Sequence, residues 1–135
     1  MGRHPHLVLI NTDSDYLVSE LSRIAHDINS VWLPSQTFKK YQSLAAQLHL
    51  QTQGRDLDSA DRFEILKTFF FSSKGFTPLS AKPKLDRFLL PYVLLSRSGP
   101  TEILLLLFIC LARTLDLQIQ VIRSPRRLIL KVIDK

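Results

Sequence analysis

Residues Pro100 to Leu115 constrain this chain more than any other segment, because they predict a helix that is apolar nearly all round. Ile103, Leu104, Leu105, Leu106, Leu107, Phe108, Ile109, Cys110, Leu111 and Ala112 follow one another without a polar residue. A helix with no polar face belongs in the middle of a fold. The run is far shorter than the roughly 20 residues that cross a bilayer as a helix, so a protein interior is expected rather than a membrane. Pro100 suits the first turn of such a helix, and Glu102 favours the same end through the helix dipole. The remainder of the chain must then supply cover for it.

Upstream, that cover reads as amphipathic helices. Leu17, Leu21, Ile24, Ala25, Ile28 and Val31 recur at intervals of three and four, predicting a helix that starts in the cap cluster Thr12-Asp-Ser-Asp15 and ends at Pro34. Ser35 is expected to cap a second helix with Phe38, Tyr41, Leu44, Ala45 and Leu48 on one face. The polar stretch Gln51 to Ser59 reads as a loop. Ser59 then caps a third helix running to about Phe71, with Phe63, Leu66, Phe69 and Phe70 inward and Gly75 closing its end. Thr77 to Lys84, with two prolines and no period, reads as a second loop. A fourth helix carries Leu85, Phe88, Leu89, Tyr92, Val93 and Leu95, and Pro91 either kinks it or marks its true start.

Downstream of Asp116 the period changes from helical to alternating. Ile119 and Val121, then Leu128, Leu130 and Val132, alternate with Gln118, Gln120, Arg127, Ile129 and Lys131, predicting an antiparallel hairpin turned at Ser124-Pro125. Leu7 to Ile10 reads as another short strand. The expected fold is therefore α+β: four or five helices around the Pro100–Leu115 helix, with a small C-terminal antiparallel sheet. At 135 residues one domain is expected, with residues 1–58 as an N-terminal helical part and 59–135 as the core. Two strands make a marginal sheet, so a third is expected from Leu7–Ile10 or from the edge of a second copy, as a homodimer.

Charge is unevenly placed. Residues 1–71 hold seven Lys/Arg against eight Asp/Glu, whereas residues 72–135 hold eleven against four. A basic C-terminal half favours acidic protein, nucleic acid or anionic lipid. Within it, Arg123, Arg126, Arg127, Lys131 and Lys135 form the most suggestive group, and Arg127 and Lys131, an even number apart, face the same way on a strand. The hairpin has no interleaved aromatic residues, which counts against single-stranded nucleic acid. A single cysteine, Cys110, excludes an internal disulfide and the multi-cysteine zinc sites, and fits a reducing compartment such as the cytoplasm. His4, His6, His26 and His49 are too scattered for a ligand spacing, and Asp56, Asp58 and Asp61 lack the glycine and glutamate of a calcium loop. No cofactor site is expected.

The stretch from Leu89 to Leu117 resembles the core of the SirB-type transglutaminase-like family, in which a helix ending VLxxRxG is followed by a buried helix ending ARxLxL and then a strand. Val93-Leu94, Arg97 and Gly99, then Ala112-Arg113 and Leu115-Asp116-Leu117, fill those places. Phe69 to Phe76 is similar to the aromatic-to-glycine segment ahead of that core, and Pro125 to Val132 is similar to its second strand, so the resemblance spans residues 63–133. It implies a site of three parts. A cysteine at the start of the buried helix is activated by a histidine on the next strand pair, which an acid on a further strand orients. The nucleophile place falls on Thr101 and the histidine place at about Arg127, and the sequence reaches Lys135 before the strand of the acid is met. Cys110, about nine residues and two and a half turns into the helix, reads as a buried thiol. The expectation is a non-catalytic, protein-binding module of regulatory or adaptor type. The alternative is a basic regulator contacting nucleic acid or the transcription machinery, and a residual enzyme using Thr101 is the least favoured reading.

Overall fold

In a computed structural model, residues 14–79, 84–123 and 128–133 are described. In chain order they form α1 (Ser14–Ile28), α2 (Pro34–Thr52), α3 (Ser59–Lys67), a π-helical turn (Thr68–Ser73), β1 (Thr77–Pro78) and a 3-10 turn (Leu85–Phe88). Then follow α4 (Leu90–Ser96), β2 (Ser98–Gly99), α5 (Thr101–Thr114), β3 (Gln118–Arg123) and β4 (Leu128–Ile133). The fold is α+β, as the change of period at Asp116 predicts. The expected Leu7–Ile10 strand and the Ser124-Pro125 turn lie outside the described residues.

The apolar helix is α5, and it touches α1, α2, α3, α4, β1, β2 and β3. Leu104, Leu107, Phe108, Ile109, Cys110, Leu111 and Ala112 are all buried along it. Tyr41 of α2 is buried too, and its hydroxyl donates to the Cys110 carbonyl at 3.3 Å, so the phenol carries no unpaired oxygen into the core. On the other flank Phe70 stacks on Phe76 with ring centroids 4.5 Å apart and meets Phe108 edge-on at 5.3 Å. Such pairs add about 0.5–1.5 kcal/mol beyond the area they bury.

Several boundaries differ from the pattern. α1 ends at Ile28, where the Asn29 side chain accepts from the Val31 amide and turns the chain. Val31 is therefore off the helix, and the inward face is Val18, Ser22 and Ala25, leaving Ile24 and Ile28 exposed. Ser22 occupies a core position because its hydroxyl bonds back to the Val18 carbonyl at 2.7 Å. Pro34 does not end α1; it opens α2, where a missing amide hydrogen costs nothing. The capping position is Leu33, whose carbonyl accepts from the Gln36 and Thr37 amides, rather than Ser35.

α2 continues to Thr52, one residue past the expected start of the loop. α3 is capped by Asp58, which accepts from the Asp61 amide at 2.8 Å, so Ser59 is already helical. After Lys67 the helix widens, and the Lys74 amide reaches the Phe69 carbonyl five residues back. Pro91 lies in the first turn of α4, so it marks the start of that helix rather than a kink. Leu85 and Phe88, expected on the inward face, are exposed on the 3-10 turn ahead of α4, and Leu95 is exposed because α4 turns Leu90, Val93 and Leu94 inward instead. Part of the expected Thr77–Lys84 loop is paired: β1 runs parallel to β2, with the Thr77 amide on the Arg97 carbonyl and the Leu79 amide on the Gly99 carbonyl.

The hairpin forms with Ile119 opposite Val132 and Val121 opposite Leu130. Ile119 and Val121 are buried against the helices, while Gln118, Ile122 and Lys131 are exposed on the other face. Truncating Leu111, which is 0 % exposed at the centre of α5, is expected to cost about 2–5 kcal/mol. Leu50→Ala, at a residue 72 % exposed, is expected to stay within about 0.5 kcal/mol. Urea unfolding of both variants checks the pair, and equal midpoints would contradict the central placement of α5.

Candidate functional site

The N-terminus of α5, where the resemblance puts a nucleophile, is held by an unusual turn. Arg97 ends α4 in the left-handed region, at φ 59°, a conformation that costs a residue with a Cβ roughly 1–2 kcal/mol. Three interactions hold it there. Its amide donates to the Val93 carbonyl at 2.9 Å, its carbonyl accepts from the Thr77 amide, and its guanidinium donates to the Lys74 carbonyl at 2.8 Å. The guanidinium also lies over the Phe76 ring, 5.6 Å from its centroid. Two residues on, a Cβ at Gly99 would meet Val93 Cγ2 at 2.7 Å, so only glycine lets the chain pass α4 this closely. The arginine-x-glycine pattern is thus a turn that ties α4, β1 and the start of α5 together.

Beyond the turn, Pro100 occupies the cap position without a side-chain hydrogen bond and Thr101 is the first helical residue, exposed to solvent. A hydroxyl at a helix N-terminus needs a base before it can attack a carbonyl. His49 lines a hollow with Leu115, at the opposite end of α5, which 14 residues at about 1.5 Å each place roughly 20 Å away. The ring of His26 bonds the Trp32 carbonyl at 3.1 Å. Cys110 is 2 % exposed in the middle of α5. His4, His6, Arg126, Arg127 and Lys135 lie outside the described residues. Among the described residues no three His, Cys, Asp or Glu side chains gather as a metal site would require.

The far end of α5 closes with a Schellman motif. Asp116 is left-handed at φ 59°, its amide reaches the Arg113 carbonyl, and the Leu117 amide reaches the Ala112 carbonyl, both at 3.0 Å. Here the structure assembles a group that the spacing in sequence does not reveal. His49, Gln53, Arg55, Arg62 and Asp116 line a hollow of about 300 Å³ between the ends of α2 and α5. Both arginines are engaged with helix carbonyls, Arg55 with Gln51 at 3.0 Å and Arg62 with Leu115 at 3.5 Å, so they serve as C-terminal caps. Among the described residues, displaced ionisations lie on the exposed face of α1, where the hydrogen bond between Arg23 and Glu20 holds the Glu20 carboxyl below its ordinary range and the Arg23 guanidinium above its own.

Of the basic group, the backbone of Arg123 ends β3 and Lys131 sits exposed on β4. The geometry of a buried central helix entered through the Arg97–Gly99 turn and followed by a hairpin agrees with a direct comparison: a family model of the transglutaminase-like superfamily matches residues 22–135. The chain belongs to the transglutaminase-like superfamily. The match begins inside α1, so α2 and α3 are part of the superfamily domain along with the segment after them. No curated protein and no solved structure matches the chain. No helix among the described residues is long and apolar enough to cross a membrane.

Two measurements test this description of the transglutaminase-like core. Arg97→Ala keeps the left-handed strain and loses the guanidinium contacts, so it is expected to cost about 2–3 kcal/mol. Arg97→Gly relieves the strain and is expected to cost about 1 kcal/mol less than Arg97→Ala by urea unfolding. Cys110 is expected to react with a thiol reagent only as fast as the protein unfolds, and immediate labelling of the native protein would contradict its burial.

Proposed function

We propose that this transglutaminase-like chain is a non-catalytic module of the SirB type, which binds a protein partner as a regulator or adaptor. The observation that carries the reading is the residue at the start of α5. Thr101 stands at the place where the resemblance puts the nucleophilic cysteine, and the thiol the chain does have, Cys110, is buried in the middle of the same helix. A helix N-terminus favours a thiolate by stabilising negative charge close to neutral pH. It cannot do the same for a threonine hydroxyl, which is far less acidic and must lose its proton to a base during attack.

A second reading, a basic regulator that contacts nucleic acid, is favoured by the eleven Lys/Arg against four Asp/Glu in residues 72–135. The two part on salt. Binding through phosphates weakens steeply, with a log–log slope of about −0.9 per phosphate neutralised, whereas a partly apolar protein interface does not.

The decisive assay offers a glutamine-containing peptide and an alkylamine to the purified protein and follows ammonia release. The expected result is no release above the buffer blank, identical for Thr101→Ala. Release that disappears in Thr101→Ala would overturn the non-catalytic reading. Partner capture that persists at high salt is expected, and capture that collapses with salt and with nuclease would move the conclusion to the nucleic-acid reading.

A further inference from the structure

The turn between α1 and α2 meets the region of α4 through three side chains in mutual contact, and apolar residues around them face solvent. The rings of Trp32 and Tyr92 meet edge-on with centroids 6.3 Å apart, and the Arg87 guanidinium lies 4.6 Å from the centroid of Tyr92. Trp32 and Tyr92 are both partly exposed. Val31 and Leu33 flank Trp32 and are 67 % and 45 % exposed. Phe88, next to Arg87, is 41 % exposed, and Leu95, three residues after Tyr92 on the outward face of α4, is 61 % exposed. Tryptophan, tyrosine and arginine are the residues that most often dominate the energy of protein interfaces. The area these six apolar and aromatic side chains leave open is on the order of 400 Å², a size at which a surface patch marks an interaction site. The charges beside it are of both signs: Lys84, Asp86 and Arg87 lie on the 3-10 turn and its cap, and among the described residues none of them makes an ion pair.

We propose that this face joins two copies of the chain in a two-fold dimer, with Trp32 and Tyr92 at its centre and Asp86 of each copy set against Lys84 and Arg87 of the other. A two-fold interface lays one patch against itself, so the patch has to be self-complementary. This one is: its middle is apolar, and its unpaired charges supply both members of an ion pair. An occupant of one sign fits it less well. An acidic segment, a nucleic acid or an anionic membrane surface would meet Lys84 and Arg87 but press like charge on Asp86, and a basic partner would do the reverse. Two patches of this size, with the polar rim around them, bury roughly the 1,000 Å² that a specific interface needs. The inference goes beyond the protein-binding reading and holds whether or not the chain is catalytic.

The test measures the mass of the full chain by light scattering and sedimentation, and twice the 15.5 kDa of one chain is expected. Leu95→Asp and Val31→Asp, both at exposed positions that leave the core intact, are expected to give monomers. Leu50→Asp, as exposed but roughly 24 Å along α2 from Pro34, is expected to remain a dimer. Trp32 is the only tryptophan, so its emission reports on this face, and it is expected further to the red in the Leu95→Asp monomer than in the dimer. Asp86→Lys is expected to weaken the dimer by about tenfold or more, since it sets cations against cations. Mixing it with the Lys84→Glu, Arg87→Glu double variant is expected to restore assembly, because the two patches are then of opposite sign. A monomer at every concentration overturns the proposal. So does a dimer that survives Leu95→Asp and Val31→Asp, which would place the contact elsewhere, such as the hairpin. Tryptophan emission that is the same in dimer and monomer, or a mixture of the two charge variants that stays monomeric, overturns it as well.

Discussion

An apolar helix has to be covered on every side by other parts of the protein, and in this chain that requirement falls on α5. Five side chains in a row from Leu107 to Leu111 are buried, which takes in every direction around the helix. At roughly 1.5–3 kcal/mol for each fully buried large side chain, this helix is the largest single concentration of hydrophobic stabilisation in the domain. The helices that cover it have narrow inward faces. α1 presents Val18, Ser22 and Ala25, and α2 presents Thr37, Tyr41, Leu44 and Leu48. Neither stripe would hold an isolated helix of that length in water, so their stability depends on docking against the centre.

A helix whose middle is buried still has terminal amides and carbonyls that need partners outside it, so the turns at its ends matter. The chain turns into and out of α5 through left-handed residues that are not glycine, Arg97 at the end of α4 and Asp116 after α5. At the entry, Arg97 accepts the strain because its amide, carbonyl and guanidinium are all bonded. At the exit, Asp116 allows the Leu117 and Asp116 amides to take up the last carbonyls before β3 begins. The features that look like a family signature in sequence are therefore the two devices by which the chain enters and leaves its own core. The same arrangement bears on chemistry. An N-terminus delivered to the surface by a rigid turn is a suitable place for a nucleophile, and the residue delivered there is Thr101.

The distribution of charge adds the other half of the functional argument. The helical cover formed by the first half of the chain is close to neutral, and its charges pair locally, as Arg23 does with Glu20 and Asp27 at 3.1 and 3.2 Å. In the sequence the cations concentrate after residue 72, and of those on the β3–β4 hairpin Lys131 is exposed on the face turned away from the buried Ile119 and Val121.

Much of this was legible in the residues alone. The unbroken apolar run from Ile103 to Ala112 required a central helix, the switch to alternation after Asp116 required a hairpin, and the arginine, glycine and alanine-arginine spacing pointed to the transglutaminase-like family. These are local signals, set by side-chain period and by turn chemistry within a few residues. What tertiary structure decided is of another kind. Ile24 and Ile28 fit a helical stripe yet lie at the surface, because the face that turns inward is chosen by what it packs against. Thr77 and Pro78 carry no strand pattern and are paired only because the Arg97 turn brings a matching backbone alongside. The gathering of His49, Arg55 and Arg62 at the far end of α5, and the half-covered state of Leu130 and Val132, depend on segments distant in sequence. Period and turn chemistry act over a few residues; which faces meet, and which stay at the surface, is settled only when distant segments close around α5.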